Sequence, residues 1–386
     1  MIADNFFATC PRGLEALLGE EIAELGGQQV EVQHGGIAFQ GDLLLAYRIN
    51  LHSRIASRVL WQVARGTYRN EEDIYKGVVK LPWTRWVRPE LSMLVKVTAI
   101  KSTLKSLNFI TLKIKDAVCD RLREDTGNRP SIDTVSPDFR VHVFLEGNKY
   151  VVYLDTSGDS LYKRSFRQET VIAPLRENLA AGIIKLSGWQ PGTPFLDPMC
   201  GSGTFLIEAA MMALNIAPGL QRNFAFEKFG NFNAAGWQAL RKEAQEQVKE
   251  TTTQPIWGSD KDIRAVRIAQ KNLAAAGLDA VVTVQPADVL EITPPAESGV
   301  VIANPPYGVR IGEETVLQDF YPQLATAMKQ KFAGWKVCLF SGDPSLPKLI
   351  RLKPSRKTPL FNGALECRLF EYQMVAGSNR DKPAAN

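Results

Sequence analysis

Phe195-Leu196-Asp197-Pro198-Met199-Cys200-Gly201-Ser202-Gly203-Thr204 runs directly into a helical apolar spacing at Phe205, Leu206, Ile207, Ala209, Ala210 and Met211. A short strand, a glycine-bearing turn and a helix in that order open a doubly wound α/β sheet. The glycines let backbone approach a ligand closely. The full dinucleotide fingerprint is absent, because no third glycine follows, and a lone Gly-x-Gly says little by itself. The acid before the turn says more. Asp197 would repel a pyrophosphate but suits the ammonium of an amino-acid-bearing ligand.

Downstream the pattern repeats. Ile256 to Asp260 reads as a second strand leading into a helix from Asp262 to Ala276. An acid at the tip of that strand can accept from both ribose hydroxyls, which makes Asp260 the candidate, while Asp262 suits the first helical turn. Ala280 to Gln285 reads as a third strand, after which Asp288 can accept from an adenine amino group. The fourth apolar run, Val300 to Ala303, delivers Asn304-Pro305-Pro306-Tyr307. This tetrad suits methylation of an exocyclic amino group on a nucleobase. The Asn304 amide oxygen and the Pro305 carbonyl accept the two N–H hydrogens, and Pro305 and Pro306 bring no competing N–H. Tyr307 offers a flat face for an extruded base. The bland reading is a turn after a buried strand, since Asn and Pro are ordinary turn residues. A cofactor site in the same half of the chain weighs against it.

Further on, Thr315 to Phe332 predicts a helix and Lys336 to Ser341 a fifth strand. Arg356 to Phe361 and Cys367 to Val375 then complete a seven-stranded mixed sheet as an antiparallel hairpin. An insertion, roughly Ala217 to Gln254, separates the glycine turn from Asp260 by far more than the roughly 20 residues of a dinucleotide unit. Its aromatics, Phe224, Phe226 and Phe229, either cover the cofactor or anchor the insertion, and anchoring is favoured.

The amino-terminal half reads as two α+β blocks. Gly13 to Leu25 has helical spacing, Val30 to Phe39 alternates like a strand pair, and Asp42 to Asn50 begins a second helix. A separate block from about 60 to 157 follows. It has strands at 58–64 and 92–100, helices at 71–79 and 109–124, and a hairpin of 139–146 with 149–155 around Gly147-Asn148. A helical segment, Glu169 to Leu186, links it to the catalytic sheet.

Composition sets bounds. Apolar residues make up 45% and charged residues 23% of 386, which is ordinary for a folded globular protein of two or three domains. No apolar run is long enough to span a membrane, and the start of the chain lacks the pattern of a secretion signal. Five scattered cysteines and three scattered histidines offer no metal-ligand spacing. They point to a reducing compartment, the cytoplasm, with no metal. Cys200 reads as a small packing residue.

The net charge of +5 is mild, and its placement says more. Lys101, Lys105 and Lys113 fall in an acid-poor stretch, and Lys163, Arg164 and Arg167 alternate with Tyr162 and Phe166 near the junction of the two halves. Cations interleaved with aromatics suit phosphate contact with base stacking, which makes these six the candidate RNA-binding residues. Charge runs are also ordinary solvated faces. Arg351, Lys353, Arg356 and Lys357 form a further set that suits a target-base entrance.

Asp197-Pro198-Met199-Cys200-Gly201-Ser202-Gly203-Thr204 and Asn304-Pro305-Pro306-Tyr307-Gly308 resemble motifs I and IV of amino-methyltransferases that use S-adenosylmethionine. Ala173-Pro174-Leu175-Arg176-Glu177-Asn178-Leu179-Ala180 resembles the motif before the first strand that helps hold the methionine end, which brings in Pro174. Ser187 to Pro194, Asp155 to Leu161 and Asn362 to Cys367 resemble the bacterial large-subunit ribosomal RNA guanine-N2 methyltransferases. The upstream segment looks like a THUMP RNA-binding domain, so the likeness covers nearly the whole chain.

That resemblance implies a Rossmann-like seven-stranded methyltransferase sheet over residues 158–376. A ferredoxin-like α+β module (1–60) and a THUMP domain (61–157) precede it, and a flexible tail (377–386) follows. It implies Asn304, Pro305, Pro306 and Tyr307 as catalytic. It places the cofactor on Pro174, on Asp197 to Thr204, and on Asp260, Asp288 and Asn304. The expected product is S-adenosylhomocysteine, and the expected partner is ribosomal RNA or a ribosome assembly intermediate. Two other readings are an adenine-N6 methyltransferase, which shares these motifs, and a non-catalytic RNA-binding scaffold. Some relatives fuse a second methyltransferase domain after this one. The sequence stops near the end of the first catalytic sheet, so that second activity is expected to be absent.

Overall fold

The structure is a computed structural model that describes residues 3–164, 175–306 and 314–375, with backbone alone for 314–318. Two compact units emerge. One comprises Met1–Cys10, Glu15–Lys163 and Ala217–Glu246, the other Pro11–Leu14, Arg164–Ile216 and Gln247–Asn386.

The first unit holds β1 (Asp4–Thr9), α1 (Glu15–Glu24), β2 (Gln28–Gln33), β3 (Gly36–Gly41), α2 (Leu43–His52), β4 (Arg58–Thr67), α3 (Glu71–Val79), β5 (Met93–Ile100), α4 (Leu107–Thr126), β6 (Phe139–Glu146) and β7 (Lys149–Asp155). Its seven strands form one sheet in the order β2-β3-β1-β4-β7-β6-β5. Strand alternation divides the faces. Phe6 and Ala8 of β1 are buried with Ile37 and Phe39 of β3, and Gly19 of α1 packs on Ile37. Asn5 and Phe7 turn to the other face.

The two separate amino-terminal blocks predicted from sequence are therefore joined through one sheet. β4 pairs with β1 on one edge and with β7 on the other. A strand with two hydrogen-bonding edges unites blocks that local patterning keeps apart.

The second unit follows with α5 (Glu177–Leu186), β8 (Phe195–Asp197) and α6 (Thr204–Ala213). The helix predicted from Glu169 begins at Glu177, since Arg176 is extended at φ −70 and ψ 140; residues 169–174 lie outside the described residues. The chain next returns to the first unit through Ala217–Glu246, which carries α7 (Ala234–Glu246). Phe226 stacks on Tyr47 at 4.0 Å, Phe224 stacks on Phe226 at 5.2 Å, and Trp237 meets Phe226 edge-on at 5.0 Å. These aromatics anchor the insertion to α2, as favoured from the sequence.

The second unit continues with β9 (Ile256–Asp260), α8 (Ile263–Ala275), β10 (Val282–Pro286), β11 (Val300–Ala303), α9 (Glu314–Lys331), β12 (Lys336–Ser341), α10 (Leu346–Ile350), β13 (Arg356–Asn362) and β14 (Leu365–Gln373). Its strand order is β10-β9-β8-β11-β12-β14-β13. β10 through β12 run parallel, while β14 is antiparallel to both β12 and β13. β11 is buried throughout, as a strand covered on both faces must be. A core of Tyr321, Leu324 and Met328 from α9 with Trp335, Leu339 and Phe370 seals one side.

Candidate active site

The strand order reverses between β8 and β11. From β8 the sheet grows one way through β9 and β10, and the other way through β11 and β12. Ligands of doubly wound sheets bind at such a switch point, beyond the carboxyl ends of the strands. β8 and β11 are parallel neighbours, with Leu196 opposite Val301, so both chains leave the sheet at the same edge. The loops carrying Asp288, Asp260, Asp197 with its glycine turn, and Asn304 therefore stand in a row along that edge.

Asp197 closes β8 and is 1% exposed. Its Oδ1 accepts from the Met199 N–H at 3.2 Å. Burial pushes its carboxyl well above the usual range, the nearby Asp260 charge adds to the rise, and the Met199 bond opposes it. A buried carboxylate in this condition is relieved by an incoming cation.

The turn after it is held from several sides. The Gly201 N–H donates to Asp260 Oδ2 at 2.9 Å and the Cys200 N–H to the Ser259 carbonyl at 2.9 Å. Asn272 of α8 is buried and donates to the Ser202 carbonyl at 3.1 Å. Gly203 lies at φ 83, where L side chains are strained, and a Cβ there would stand 3.2 Å from Ala269 Cβ. Glycine at this position therefore serves both the turn and the close packing of α8. Pro198 and Met199 face a small apolar gap behind the turn, while Ser202 and Thr204 are buried where α6 begins. The Cys200 thiol is buried and held protonated by that burial, consistent with a packing residue.

Asp260 takes backbone N–H groups on both oxygens, Gly201 on Oδ2 and Asp262 at 3.0 Å on Oδ1. Asp262 caps α8 by accepting from the Arg264 N–H. Asp288 accepts from the Leu290 N–H at 2.9 Å just beyond β10. Asn304 follows β11 directly. Its Oδ1 is buried, and no described residue donates to it. A buried acceptor without a donor is costly, so an N–H brought to Asn304 would be favoured there.

The loop that follows is fixed by a residue that carries no signature in the sequence. Tyr321 of α9 is fully buried and donates its hydroxyl to the Pro306 carbonyl at 2.6 Å. Asn272 was equally hidden, because both act through backbone carbonyls. Tyr307, Pro174, Arg167 and Phe166 lie outside the described residues.

The expected RNA-facing cations divide. Lys101 and Lys105 are exposed. Lys113 pairs with Glu72 at 3.3 Å and lies over the Tyr75 ring, so part of its charge is already answered. Lys163 is exposed and 3.9 Å from Asp159. Arg164 does not belong with them. It is 2% exposed and pairs with the buried Glu208 at 3.1 Å, which makes it a structural ion pair rather than a surface contact.

Residues 164–371 match the family described as RMKL-like methyltransferase domain, residues 5–60 the RlmL ferredoxin-like domain, and residues 68–155 the THUMP domain. The chain belongs to the RMKL-like methyltransferase family. It is 39% identical over 96% of its length to slr0064 of Synechocystis sp., a protein named provisionally as an RNA methyltransferase, and covers 96% of that protein. It is 40% identical to the ribosomal RNA large subunit methyltransferase K/L of Cellvibrio japonicus, covering 96% of this chain but only 51% of that protein. Among solved structures, SMU.472, provisionally named a methyltransferase and solved with S-adenosylhomocysteine, aligns with a TM-score of 0.88. The identity is 32%, over 98% of this chain and all of the other.

The enzyme thus depends on S-adenosylmethionine, and the site's residues fit that cofactor. Asp197 is a buried acid suited to an ammonium, and Gly201 and Gly203 hold the turn beside it in left-handed backbone, at φ 53 and φ 83.

Proposed function

We propose that the enzyme methylates the exocyclic N2 amine of a guanine in large-subunit ribosomal RNA. The observation that carries the reading is the buried Asn304 Oδ1, which no described residue satisfies, at the edge shared with the glycine turn. The naming of the K/L relatives for large-subunit ribosomal RNA and the THUMP match support an RNA substrate.

The chemistry follows from the amine. Its lone pair is delocalised into the ring, so it attacks poorly. Asn304 Oδ1 and the Pro305 carbonyl accept its two N–H hydrogens and turn the lone pair out of the ring plane. Tyr321 stiffens this loop through Pro306. Asp197 holds the donor's ammonium and Asp260 its ribose, so the catalytic contribution is chiefly orientation. When bound, S-adenosylmethionine supplies an electrophilic methyl carbon on a sulfonium and departs as S-adenosylhomocysteine. The guanine must be unpaired or leave its stack to reach the loop. The methylated nitrogen then releases a proton to solvent water, since neutral Asn304 is too weak a base to keep it.

Nucleoside mass spectrometry of ribosomal RNA from cells lacking the gene tests the proposal. Loss of N2-methylguanosine, restored by the purified enzyme with labelled donor, is the expected result. Loss of N6-methyladenosine, or labelling of duplex DNA in place of deproteinised ribosomal RNA, would overturn it.

A further inference from the structure

The geometry points to a second RNA contact on the first unit: the open face of its seven-stranded sheet is a docking site for a single-stranded segment of the RNA substrate. The assignment rests on the RNA reading above. Helices α1 to α4 pack against strands of this sheet, and the buried Phe6, Ala8, Ile37 and Phe39 mark the covered face. The opposite face holds a hollow of about 680 Å³. That lies within the roughly 300–1,000 Å³ of small-ligand sites, so it suits unstacked bases and not a whole helix.

Its lining matches that occupant in three ways. Phe7 and Tyr153 offer ring faces, with centroids 6.4 Å apart. Asn5, Gln29, Gln33, Gln40 and Gln62 bring five amides; Gln40 donates to Asn5 at 3.1 Å and Gln33 to Glu31 at 3.3 Å, which leaves further donors and acceptors for base edges. Arg65 and Lys149 supply cations for phosphates against the single carboxylate of Glu31. Aromatics, amides and cations together suit single strands, whose splayed bases can stack; the bases of an RNA duplex are already stacked on each other.

Two irregularities shape the hollow. The register of β4 against β7 shifts between Gln62 and Ala64, and that of β2 against β3 between Gln28 and Glu31. Bulges bend and twist the strands that carry them, and both of these fall in strands lining the hollow. Gln29 sits in the second, at φ 47, a left-handed conformation rare for a side chain of its kind.

The full chain is tested with a fluorescein-labelled single-stranded RNA, a duplex of equal length, and deproteinised ribosomal RNA. Phe7→Ala, Gln62→Ala and Arg65→Ala are compared with wild type by anisotropy and by turnover. Because Arg65 is exposed, its variant keeps the test sound should Phe7→Ala fold poorly. Loss of a stacked base corresponds to about 5- to 150-fold. Phe7→Ala is therefore expected to weaken single-strand binding at least about fivefold. KM for ribosomal RNA should rise in parallel, with kcat and donor affinity nearly steady. Unchanged affinity in all three variants would overturn the site. So would a preference for the duplex. If wild type methylates no RNA, the functional reading fails, and the anisotropy arm still decides this site.

Discussion

Asp197→Asn should make the protein more stable and the enzyme nearly useless, and the gain in stability should depend on pH. The wild-type carboxylate is 1% exposed and receives one described hydrogen bond, from Met199. Burying an ion costs several kcal/mol, and a charged hydrogen bond returns about 1.5–3. A net penalty of about 1–3 kcal/mol remains, enlarged by the neighbouring Asp260 charge. Asparagine keeps the shape and the acceptor oxygen and removes the charge.

The sign follows from the raised folded-state value. The native state holds the Asp197 proton more tightly than the unfolded chain, so wild-type stability is greatest below the ordinary value of 3.8. It is lost as pH rises toward the folded one. Asparagine has no such loss. The variant should therefore match wild type near pH 4 and exceed it at neutral pH. At about 2–4 °C per kcal/mol for a unit of this size, the neutral gain is about 2–12 °C in Tm. Differential scanning fluorimetry without ligand across this range measures it, and isothermal titration with S-adenosylmethionine should show binding weakened at least about tenfold. A Tm below wild type at neutral pH, or an offset that ignores pH, would contradict a buried-charge penalty at Asp197.

Asn304→Ala should lower kcat about 10²–10³-fold, the usual cost of losing one aimed hydrogen-bonding group, while donor affinity by titration stays near wild type. Tyr321→Phe should lower kcat by about tenfold with donor affinity retained, because one hydrogen bond to the Pro306 carbonyl is lost and its packing is kept; single-turnover methyl transfer measures this. Gly203→Ala meets both a left-handed backbone and Ala269, whereas Gly277→Ala, at φ 69 with nothing near its Cβ, meets only the first. Denaturant unfolding should show about 1–2 kcal/mol lost at Gly277 and more at Gly203. Arg164→Ala should cost about 3–5 kcal/mol by leaving Glu208 buried without its guanidinium partner, and RNA affinity measured on the folded fraction should not change.

What the sequence could say about this protein divides along a physical line. Turn chemistry and strand runs are local, so the Asp197 to Thr204 turn, the Gly147-Asn148 hairpin and the proline-bearing loop after Ala303 all stand where their residues point. Pairings across long separations are another matter. The insertion's home on the first unit depends on Phe226 reaching Tyr47 and on its N–H reaching the Thr156 carbonyl, and neither partner carries a signature for the other. Arg164 shows the same blindness in reverse. A basic residue among basic residues reads as surface, and only the position of Glu208 on α6 reveals the buried pair.

The order of the strands decides whether the two motifs belong to one site. Motif I ends the first strand of the catalytic sheet in sequence, and the Asn304 motif ends the fourth. Had the strands paired consecutively, β9 and β10 would separate β8 from β11. The reversal at β8 removes them from between and makes β11 its direct neighbour, parallel and with Leu196 opposite Val301. The acid that suits the donor's ammonium and the amide that suits the acceptor's N–H groups then leave adjacent strands at the same edge, as methyl transfer between two bound molecules requires. A parallel neighbour needs a crossover, and the one through α6 places β9 on one edge of β8, leaving the other edge free for β11. Residue chemistry identifies the two halves of the site, and sheet topology brings them together.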